Sequence, residues 1–375
     1  MSITRKLRTS GKIIAALTEI GIVAESEKWN IRFDFYRTFT PGIPLLQWFF
    51  TKACNYSCQY CNVGSVKTKD LGQDERIEGL DFLIKKFHPK ILSISGGEPT
   101  LYLDDLAAFI NHGKRQHVFV GLNTNGSRLT ETSIDALADA GLDYISFSYD
   151  ALPPKDDEQV FELAQYAVGS GMISAIQPVF SKKNWERRGT IMEKARMHGA
   201  LFNPSIVMSS GLAYSTTNEE QPPKEEVQAF FAELPRGYFS GVKNSERYIQ
   251  YMKNNFGTPW TCRNFSWISV SHDGTLRHCN EYVSQFTIHD LADKKKWKQF
   301  ERYRQETSQQ CSGCYYQCFF DAEKGGLWSM HFKDFLNIER LARMKHFSRS
   351  LKRTEQIISK YFPESESMAK EKSVE

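Results

Sequence analysis

Three cysteines, Cys54, Cys58 and Cys61, lie within the stretch TKACNYSCQYCNVG at residues 51–64. A structural zinc site needs four ligands, and this stretch offers three thiols and no histidine. Three thiolates instead suit a 4Fe–4S cluster in which one iron stays open for an exogenous ligand. The spacing alone also leaves open a zinc knuckle or a group of reduced core cysteines.

A second group of cysteines lies about two hundred residues further along the chain, at Cys262, Cys279, Cys311, Cys314 and Cys318. Close spacing within each group indicates metal ligation and not a disulfide framework. Five cysteines suffice for one fully ligated 4Fe–4S cluster with one thiol left over. Zinc held by four thiolates is the main alternative, and a disulfide pair fits a reducing compartment poorly.

The hydrophobic pattern places both groups in an α/β fold. From residue 44 onward, apolar runs typical of strands alternate with amphipathic helical patterns. The candidate strands are 44–50, 90–95, 117–123, 143–149, 172–180 and 201–208. This alternation predicts a parallel sheet with right-handed crossovers, and six units are too few for an eight-fold barrel. We therefore expect a partial (β/α)6 TIM-like barrel, with its chemistry at the carboxyl ends of the strands.

The pattern changes beyond the barrel. Residues 265–279 alternate with period two around Asp273-Gly274, which predicts a hairpin, and the remainder up to 328 reads as irregular. Four parts are expected: a helical N-terminal segment (1–43), the barrel (44–235), a small cysteine-rich α+β domain (236–328) and a basic C-terminal helix with a disordered tail (329–375).

The first cysteine group resembles a known family. The spacing C-x3-C-x2-C directly after a strand is the signature of the radical S-adenosylmethionine (SAM) superfamily. The resemblance implies that Cys54, Cys58 and Cys61 hold a 4Fe–4S cluster whose open iron binds the amino and carboxylate groups of SAM. One electron then cleaves SAM into methionine and a 5′-deoxyadenosyl radical. Tyr60 takes the place of the aromatic residue that packs on the adenine.

The stretch SISGGEPTL (93–101), one βα unit later, resembles the G-G-E-P segment of that family. The resemblance implies that its backbone binds the SAM amino group. We expect Gly96 and Gly97 to let the backbone approach the ligand closely, because glycine has no Cβ. Glu98 would supply an anion for the ammonium, and Pro99 would stiffen the turn.

Two further segments resemble SAM-contacting parts of the family, LNTNGSRL (122–129) and SFSYDAL (146–152). They follow the third and fourth strands, so four matches stand in order at consecutive strand ends. Asn125, Ser148 and Asp150 are the polar residues that the resemblance assigns to SAM. Each segment read alone is also consistent with an ordinary capped turn between strand and helix.

The second cysteine group resembles the SPASM and Twitch extensions of radical SAM enzymes, which carry auxiliary iron–sulfur clusters. A complete SPASM extension has seven cysteines. By position, Cys262, Cys279, Cys311 and Cys314 match the single-cluster Twitch arrangement best, and Cys318 is an alternative ligand. The resemblance thus implies SAM and two 4Fe–4S clusters as cofactors.

The substrate is expected to be a small molecule more than a peptide. Only residues 1–43 precede the first strand, too few for the leader-binding domain of many peptide maturases, and the cysteine set suits one-cluster enzymes. The alternative is a maturase that installs thioether or carbon–carbon crosslinks on a ribosomal peptide, and a non-enzymatic metal-binding scaffold is a third interpretation.

Asp150, Asp273 and Glu281 are candidate bases only because they neighbour the motifs. A flavodoxin- or ferredoxin-type protein is the expected reductant.

Composition argues against two further classes of protein, those that bind nucleic acid and those that span a membrane. A net charge of +4 gives no case for nucleic-acid binding, and no apolar run approaches a membrane span. The terminal helices are basic, for example at Arg5 and Arg340, but solvated basic residues are favoured over contact with a membrane surface. His272 and His278 flank the hairpin and could be ligands or bases, but we expect them to be solvated turn residues. We expect a cytoplasmic protein.

Overall fold

The computed structural model describes residues 42–58, 60–62, 69–149, 157–208, 220–235 and 241–324. All of these belong to one compact unit. The predicted N-terminal segment, except for its last two residues, lies outside the described residues. So do Asp150 and the predicted basic C-terminal helix.

The described part is built on one twisted sheet. Its strands are β1 Leu45–Phe49, β2 Ile91–Ser95, β3 Phe119–Thr124, β4 Tyr144–Tyr149, β5 Ile173–Phe180, β6 Leu201–Phe202, β7 Ser205–Ile206, β8 Trp267–Val270, β9 Thr275–Arg277 and β10 Val283–Thr287. The spatial order is β10-β9-β8-β1-β2-β3-β4-β5-β6, and β7 also pairs with β5. The predicted sixth strand is divided in two at Pro204, which has no N–H to donate to a neighbouring strand.

Helices alternate with these strands. They are α1 Gln73–Phe87, α2 Leu103–Arg115, α3 Glu131–Asp139, α4 Asp157–Gly169, α5 Arg188–Met197, α6 Lys224–Glu233, α7 Glu246–Asn255, α8 Lys294–Gln310 and α9 Gln317–Lys324. Strands β1 to β6 pair in parallel in chain order. The predicted fold class, a partial TIM-like barrel, is confirmed.

The two faces of the sheet differ in chemistry. Side chains that point toward the helices are large and apolar: Trp48 lies against Gly79 of α1, and Leu92 against Gly113 of α2. Successive side chains of a strand alternate between faces, so Gln47 and its register partner Ser93 point to the opposite, concave face. Burial of the apolar face stabilises the barrel. The concave face can therefore carry polar side chains without loss of that stabilisation.

The predicted hairpin is confirmed as β8 and β9, which pair antiparallel. Strand β8 also pairs in parallel with β1, so the hairpin continues the barrel sheet. The boundary at residue 236 stays a prediction. The prediction that the remainder up to residue 328 is irregular is wrong, because α8 and α9 occupy much of it. Helix α8 has few apolar residues. Its inner face is marked by Trp297, Phe300, Tyr303 and the buried Arg304 and Thr307.

No helix in the described ranges is both long and apolar enough to cross a membrane.

Candidate active site

The first three cysteines lie in the loop that follows β1, at the carboxyl edge of the sheet, and each is partly exposed. Asp70 fixes the start of this loop. Its carboxylate accepts from Thr51 Oγ1 at 2.5 Å and from the Lys52 N–H at 3.3 Å. His272 Nδ1 of the hairpin lies 3.0 Å from the same carboxylate. The cysteine loop is therefore tied to the β8–β9 hairpin at this edge.

The G-G-E-P segment packs directly on the cysteine loop. The Gly97 N–H donates to Thr51 O at 2.8 Å, and the Glu98 N–H donates to Ala53 O at 2.8 Å. A Cβ would lie 2.4 Å from Thr51 O at Gly96, which has a φ of +140°, and 2.0 Å from Ala53 O at Gly97. Glycine is therefore needed here for close contact between two protein loops, a reason that the sequence interpretation did not include.

The predicted contact of the Glu98 carboxylate with the SAM ammonium does not fit the structure. Glu98 is 0% exposed. One carboxylate oxygen accepts from the Thr100 N–H, the Thr100 hydroxyl and Thr124 Oγ1, and the other accepts from the Asn125 N–H at 2.6 Å. Protein donors satisfy both oxygens, so Glu98 joins the loops after β2 and β3 and does not face a ligand.

The loop after β3 completes this edge. Asn125 Nδ2 donates to Asn55 Oδ1 at 3.0 Å, and Asn55 Nδ2 donates to Ser127 Oγ at 2.8 Å. Asn125 Oδ1 accepts from the Ser127 N–H at 2.9 Å. Three of the four motifs are thus brought together, with the cysteine loop bonded to both of its neighbours.

The predicted contacts of Ser148, Tyr60 and Pro99 with SAM stay predictions. Ser148 lies on the concave face of β4 and is partly exposed, opposite Gln177 of β5. Tyr60 is partly buried in the cysteine loop. Pro99 is buried at the first position of the short helical turn Pro99–Tyr102.

Replacing Gly97 with alanine is expected to displace the cysteine loop, because the new Cβ has no room beside Ala53 O. A misplacement of about 1 Å costs roughly 100-fold in rate, and we expect a fall of that size in SAM cleavage. A Cβ at Gly189 in α5 would meet no atom within 4 Å, so Gly189→Ala is the matched control. Unchanged cleavage by Gly97→Ala would show that the tight loop contact is unimportant.

The donor set at this edge fits a 4Fe–4S cluster. The Tyr56 N–H donates to Cys54 Sγ at 3.4 Å, a contact that favours a thiolate. No group of three or more His, Cys, Asp or Glu side chains in the described ranges is arranged to hold a single metal ion. A four-iron cluster requires thiolates that are further apart, since each thiolate binds a different iron.

Four of the five later cysteines are electrostatic neighbours. Burial raises the pKa of Cys314 well above its ordinary value, and Cys262, Cys279 and Cys311 raise it further. Burial also raises the pKa of Cys279 to about 12, with a contribution from Cys311. The backbones of Trp260 and Cys314 pair through two hydrogen bonds of 3.3 and 3.0 Å, which brings Cys314 beside the segment that carries Cys262.

Cys318 stands apart from these four. Burial raises its pKa to about 11, and its main charged neighbours are Lys243, which lowers the pKa, and Asp321, which raises it. None of the other cysteines contributes among these leading causes. The surroundings therefore favour the set Cys262, Cys279, Cys311 and Cys314 over a set that includes Cys318.

A buried cation accompanies the four thiols. Arg304 is 3% exposed, and its Nε has no hydrogen-bond partner among the described residues. Burial lowers the pKa of Arg304 to about 10, while Cys262, Glu301 and Cys279 counter that fall. A buried guanidinium requires nearby negative charge. A cluster held by four thiolates would supply it, so this site also fits an iron–sulfur group.

The two cysteine groups lie toward opposite ends of the barrel strands. Strand β9 runs back along β8, so Cys279 comes level with Trp267, the register partner of Leu45 at the start of β1. The first group follows the other end of β1, about 17 Å away at the rise of a strand. Glu281 accepts from the Tyr316 hydroxyl at the far end. As a candidate base, Glu281 therefore lies beside the second cysteine group and not beside the first.

Sequence reasoning missed two residues that organise these sites, Asp70 and Arg304, and wrongly placed a third, His272, in solvent. His272 and His278 were expected in solvent, but they are 8% and 1% exposed. Burial lowers the pKa of His278 to about 3 and lowers that of His272 as well, so both rings are neutral near pH 7. Each histidine comes two residues after a buried apolar residue, Val270 or Leu276, and this period of two is the signal that could have indicated burial.

Comparisons with known proteins agree with this geometry. The family description "Radical SAM superfamily" matches residues 48–210, the span that carries all four motifs. The chain is 32% identical over 254 residues to the probable GTP 3′,8-cyclase of Methanococcus maripaludis, covering 61% of this chain and 82% of that protein. It is 23% identical over 316 residues to the mycofactocin maturase MftC of Mycolicibacterium smegmatis, covering 76% of this chain and 78% of that protein.

A third relative is the PqqA peptide cyclase of Methylocella silvestris, 27% identical over 214 residues, or 51% of this chain. The chain spans 55% of that protein's length, and only 28% of another relative, the pre-heme d1 synthase of Dinoroseobacter shibae. Among solved structures, Streptococcus suis SuiB bound to the precursor peptide SuiA shares the fold. It has a TM-score of 0.51 and 12% identity, over 74% of this chain and 70% of that one.

The expectation that a small molecule is more likely than a peptide is wrong against these findings. The relatives include a peptide cyclase, and the fold occurs in an enzyme bound to its precursor peptide. The cysteine count and the length before the first strand did not report on the substrate.

The motifs, the fold and the relatives lead to one assignment, which brings with it enzymatic activity, SAM and a 4Fe–4S cluster. The chain belongs to the radical SAM superfamily.

Proposed function

We propose that this enzyme modifies a peptide, installing a thioether or carbon–carbon crosslink on a ribosomally made substrate. When bound, the first cluster and SAM supply a radical able to remove a hydrogen atom from an unactivated carbon. The chain's own residues must then bind and orient a peptide beside the carboxyl edge of the sheet.

The concave face of the sheet is the observation that carries the proposal. On four consecutive strands it presents Ser93, Asn123, Ser148 and Gln177, all partly exposed. Among the described positions of β1 to β5 that share this face, none is charged, although Arg277 and Lys243 from other elements lie over its aromatic rings Phe49 and Tyr144. Hydroxyl and amide groups complement the N–H and C=O groups of a peptide.

Hydrogen bonds hold this polar face in place. Gln177 Oε1 accepts from Ser146 Oγ at 3.0 Å and from Asn203 Nδ2 at 3.0 Å. On the other side of the barrel, Ser269 Oγ donates to Gln47 Oε1 at 2.9 Å. A lining fixed in this way orients a substrate at little entropic cost.

We propose further that Cys262, Cys279, Cys311 and Cys314 hold an auxiliary 4Fe–4S cluster, in a unit that spans about residues 236–328. The mutual proximity of the four thiols and the buried charge of Arg304 support this assignment. Crosslinking removes two electrons from the substrate in total, and a second cluster gives the enzyme a site that can accept one of them.

The test is a competition between substrate classes. The anaerobically reconstituted enzyme is incubated with SAM, dithionite and either a random-sequence peptide library rich in cysteine or a mixture of GTP, sugars and aminocyclitols. We expect some peptides to lose the mass of two hydrogen atoms and to accelerate release of 5′-deoxyadenosine. Asn123→Leu should weaken this stimulation about tenfold or more, because it removes one polar group from the face.

The matched control is Glu78→Gln, an exposed position on α1 that points away from the concave face. Turnover of a member of the small-molecule mixture, with no peptide modified, would overturn the proposed substrate class and leave the SAM chemistry intact.

A further inference from the structure

Helix α8 holds the segment that carries the first auxiliary cysteine. Arg304 and Ser308 lie one turn apart on the helix. Arg304 Nη2 donates to Phe265 O at 3.2 Å, and Ser308 Oγ donates to Cys262 O. The helix ends at Gln310, so Cys311 is the next residue. One face of one helix therefore sets the positions of two of the four thiols.

The backbone bends to make this contact. Phe265 has a φ of +48°, the left-handed region that an aromatic residue seldom adopts. Its carbonyl is the one that accepts from Arg304. Strained conformations persist where the surroundings fix them, and here the fixing group is a buried guanidinium.

Aromatic rings enclose that guanidinium. Its central carbon lies 4.7 Å from the ring centroid of Phe265, 5.4 Å from that of Trp267 and 5.6 Å from that of Phe300. Ring faces attract a cation but do not neutralise it. No carboxylate in the described ranges forms an ion pair with Arg304, and its Nε–H has no acceptor there. Glu301 lies near enough to act on its charge without pairing with it, and the thiols of Cys262 and Cys279 are the other nearby source of negative charge.

We propose that Arg304 is the positioning residue and counter-charge of the auxiliary iron–sulfur site, donating its Nε–H toward the cluster. This inference rests on the proposed auxiliary cluster. A fixed positive charge and a donated hydrogen bond both favour the more negative, reduced form of a cluster. Arg304 therefore makes the second site easier to reduce and keeps Cys262 in place.

The test uses a background that has lost the first cluster, Cys54→Ala/Cys58→Ala/Cys61→Ala, so that all bound iron reports on the second site. Arg304→Met and Arg304→Lys are compared in it, with Arg302→Met as the control, since Arg302 is exposed on the same helix. Iron per chain and the midpoint potential are measured, the latter by redox titration with electron paramagnetic resonance (EPR) detection.

We expect Arg304→Met to lower the reduced fraction at a given potential at least tenfold, a midpoint shift of about 59 mV for one electron. Arg304→Lys should shift the midpoint less, because it keeps the charge and loses the Nε donor. Arg302→Met should leave the midpoint unchanged. Should Arg304→Met fail to fold or to hold iron, the Lys variant decides: an unshifted midpoint in it, at full iron content, overturns the proposal.

An Arg304→Met variant with full iron and an unchanged midpoint also overturns the proposal. A merely structural role for Arg304 predicts a third result, in which iron is lost and the midpoint of the remaining clusters does not shift. A background protein that binds no iron, or binds zinc, overturns the auxiliary cluster itself. That failure appears before any Arg304 variant is compared, so the two failures are distinguishable.

Discussion

Replacing Cys54, Cys58 and Cys61 together with alanine is expected to abolish SAM cleavage and to leave about four of about eight irons per chain. The three cysteines are partly exposed in a loop at the carboxyl edge of the sheet, and the second group lies at the other end of the strands. Their loss should therefore scarcely alter the iron content of the auxiliary site. Iron analysis and a dithionite assay for 5′-deoxyadenosine measure both effects.

The control for this variant is its reciprocal, Cys279→Ala, which should lose the other irons and retain SAM cleavage. If the triple variant still released 5′-deoxyadenosine, the radical cluster would have to be assigned elsewhere. If it lost all iron, the two sites would not be independent.

Replacing Cys279 or Cys311 with alanine is expected to remove about four irons and to destabilise the protein. Bound metal stabilises only the folded state, so its loss lowers the free energy of unfolding. The four thiols are surrounded by buried groups, among them Arg304 and His278, so an empty site would leave a buried charge uncompensated. We expect a loss of about 4 kcal/mol or more, the size of an exceptional single substitution. Iron analysis and thermal unfolding measure the two effects.

Cys318→Ala is the matched control for these variants, because Cys318 is a partly buried residue in the same region whose main charged neighbours are Lys243 and Asp321. It should keep both clusters. Loss of about four irons in Cys318→Ala, together with full iron in Cys314→Ala, would exchange the two residues in the ligand set. Zinc in place of iron would keep the radical chemistry and remove the auxiliary electron acceptor.

Much of the barrel could be predicted because its strands are short apolar runs separated by amphipathic helices. The hairpin followed from alternation around Asp273-Gly274. Helix α8 was not predicted, because its buried face includes Arg304 and Thr307, which do not contribute to a pattern of apolar residues. Whether a charged residue is buried depends on partners distant in the chain, and a local pattern does not contain them.

The motifs predicted which loops meet at the carboxyl edge of the sheet, but not how their side chains bond to one another. Glu98 receives its donors from Thr124 and Asn125, which belong to another βα unit, so no local reading reveals that its carboxylate is already satisfied. Gly97 is confined by the carbonyl of Ala53, again on a neighbouring loop. The position of Cys314 in the chain already favoured it over Cys318, and the structure adds the backbone pairing of Trp260 with Cys314, which spacing does not encode.

The substrate was predicted least well, since cysteine number and chain length do not describe the surface that a substrate meets. The row of polar strand residues on the concave face appears only when β1 to β5 are aligned in register, with Ser93 beside Gln47 and Ser148 beside Gln177. Each of these residues alone is an ordinary polar residue in a strand.

The most direct measurement is release of 5′-deoxyadenosine by the wild-type chain after anaerobic reconstitution with iron and sulfide. We predict 5′-deoxyadenosine and methionine in equal amounts, dependent on both SAM and dithionite, from protein that carries about eight irons. Iron-loaded protein that binds SAM but releases no 5′-deoxyadenosine under these conditions would contradict the assignment of radical SAM chemistry to this chain.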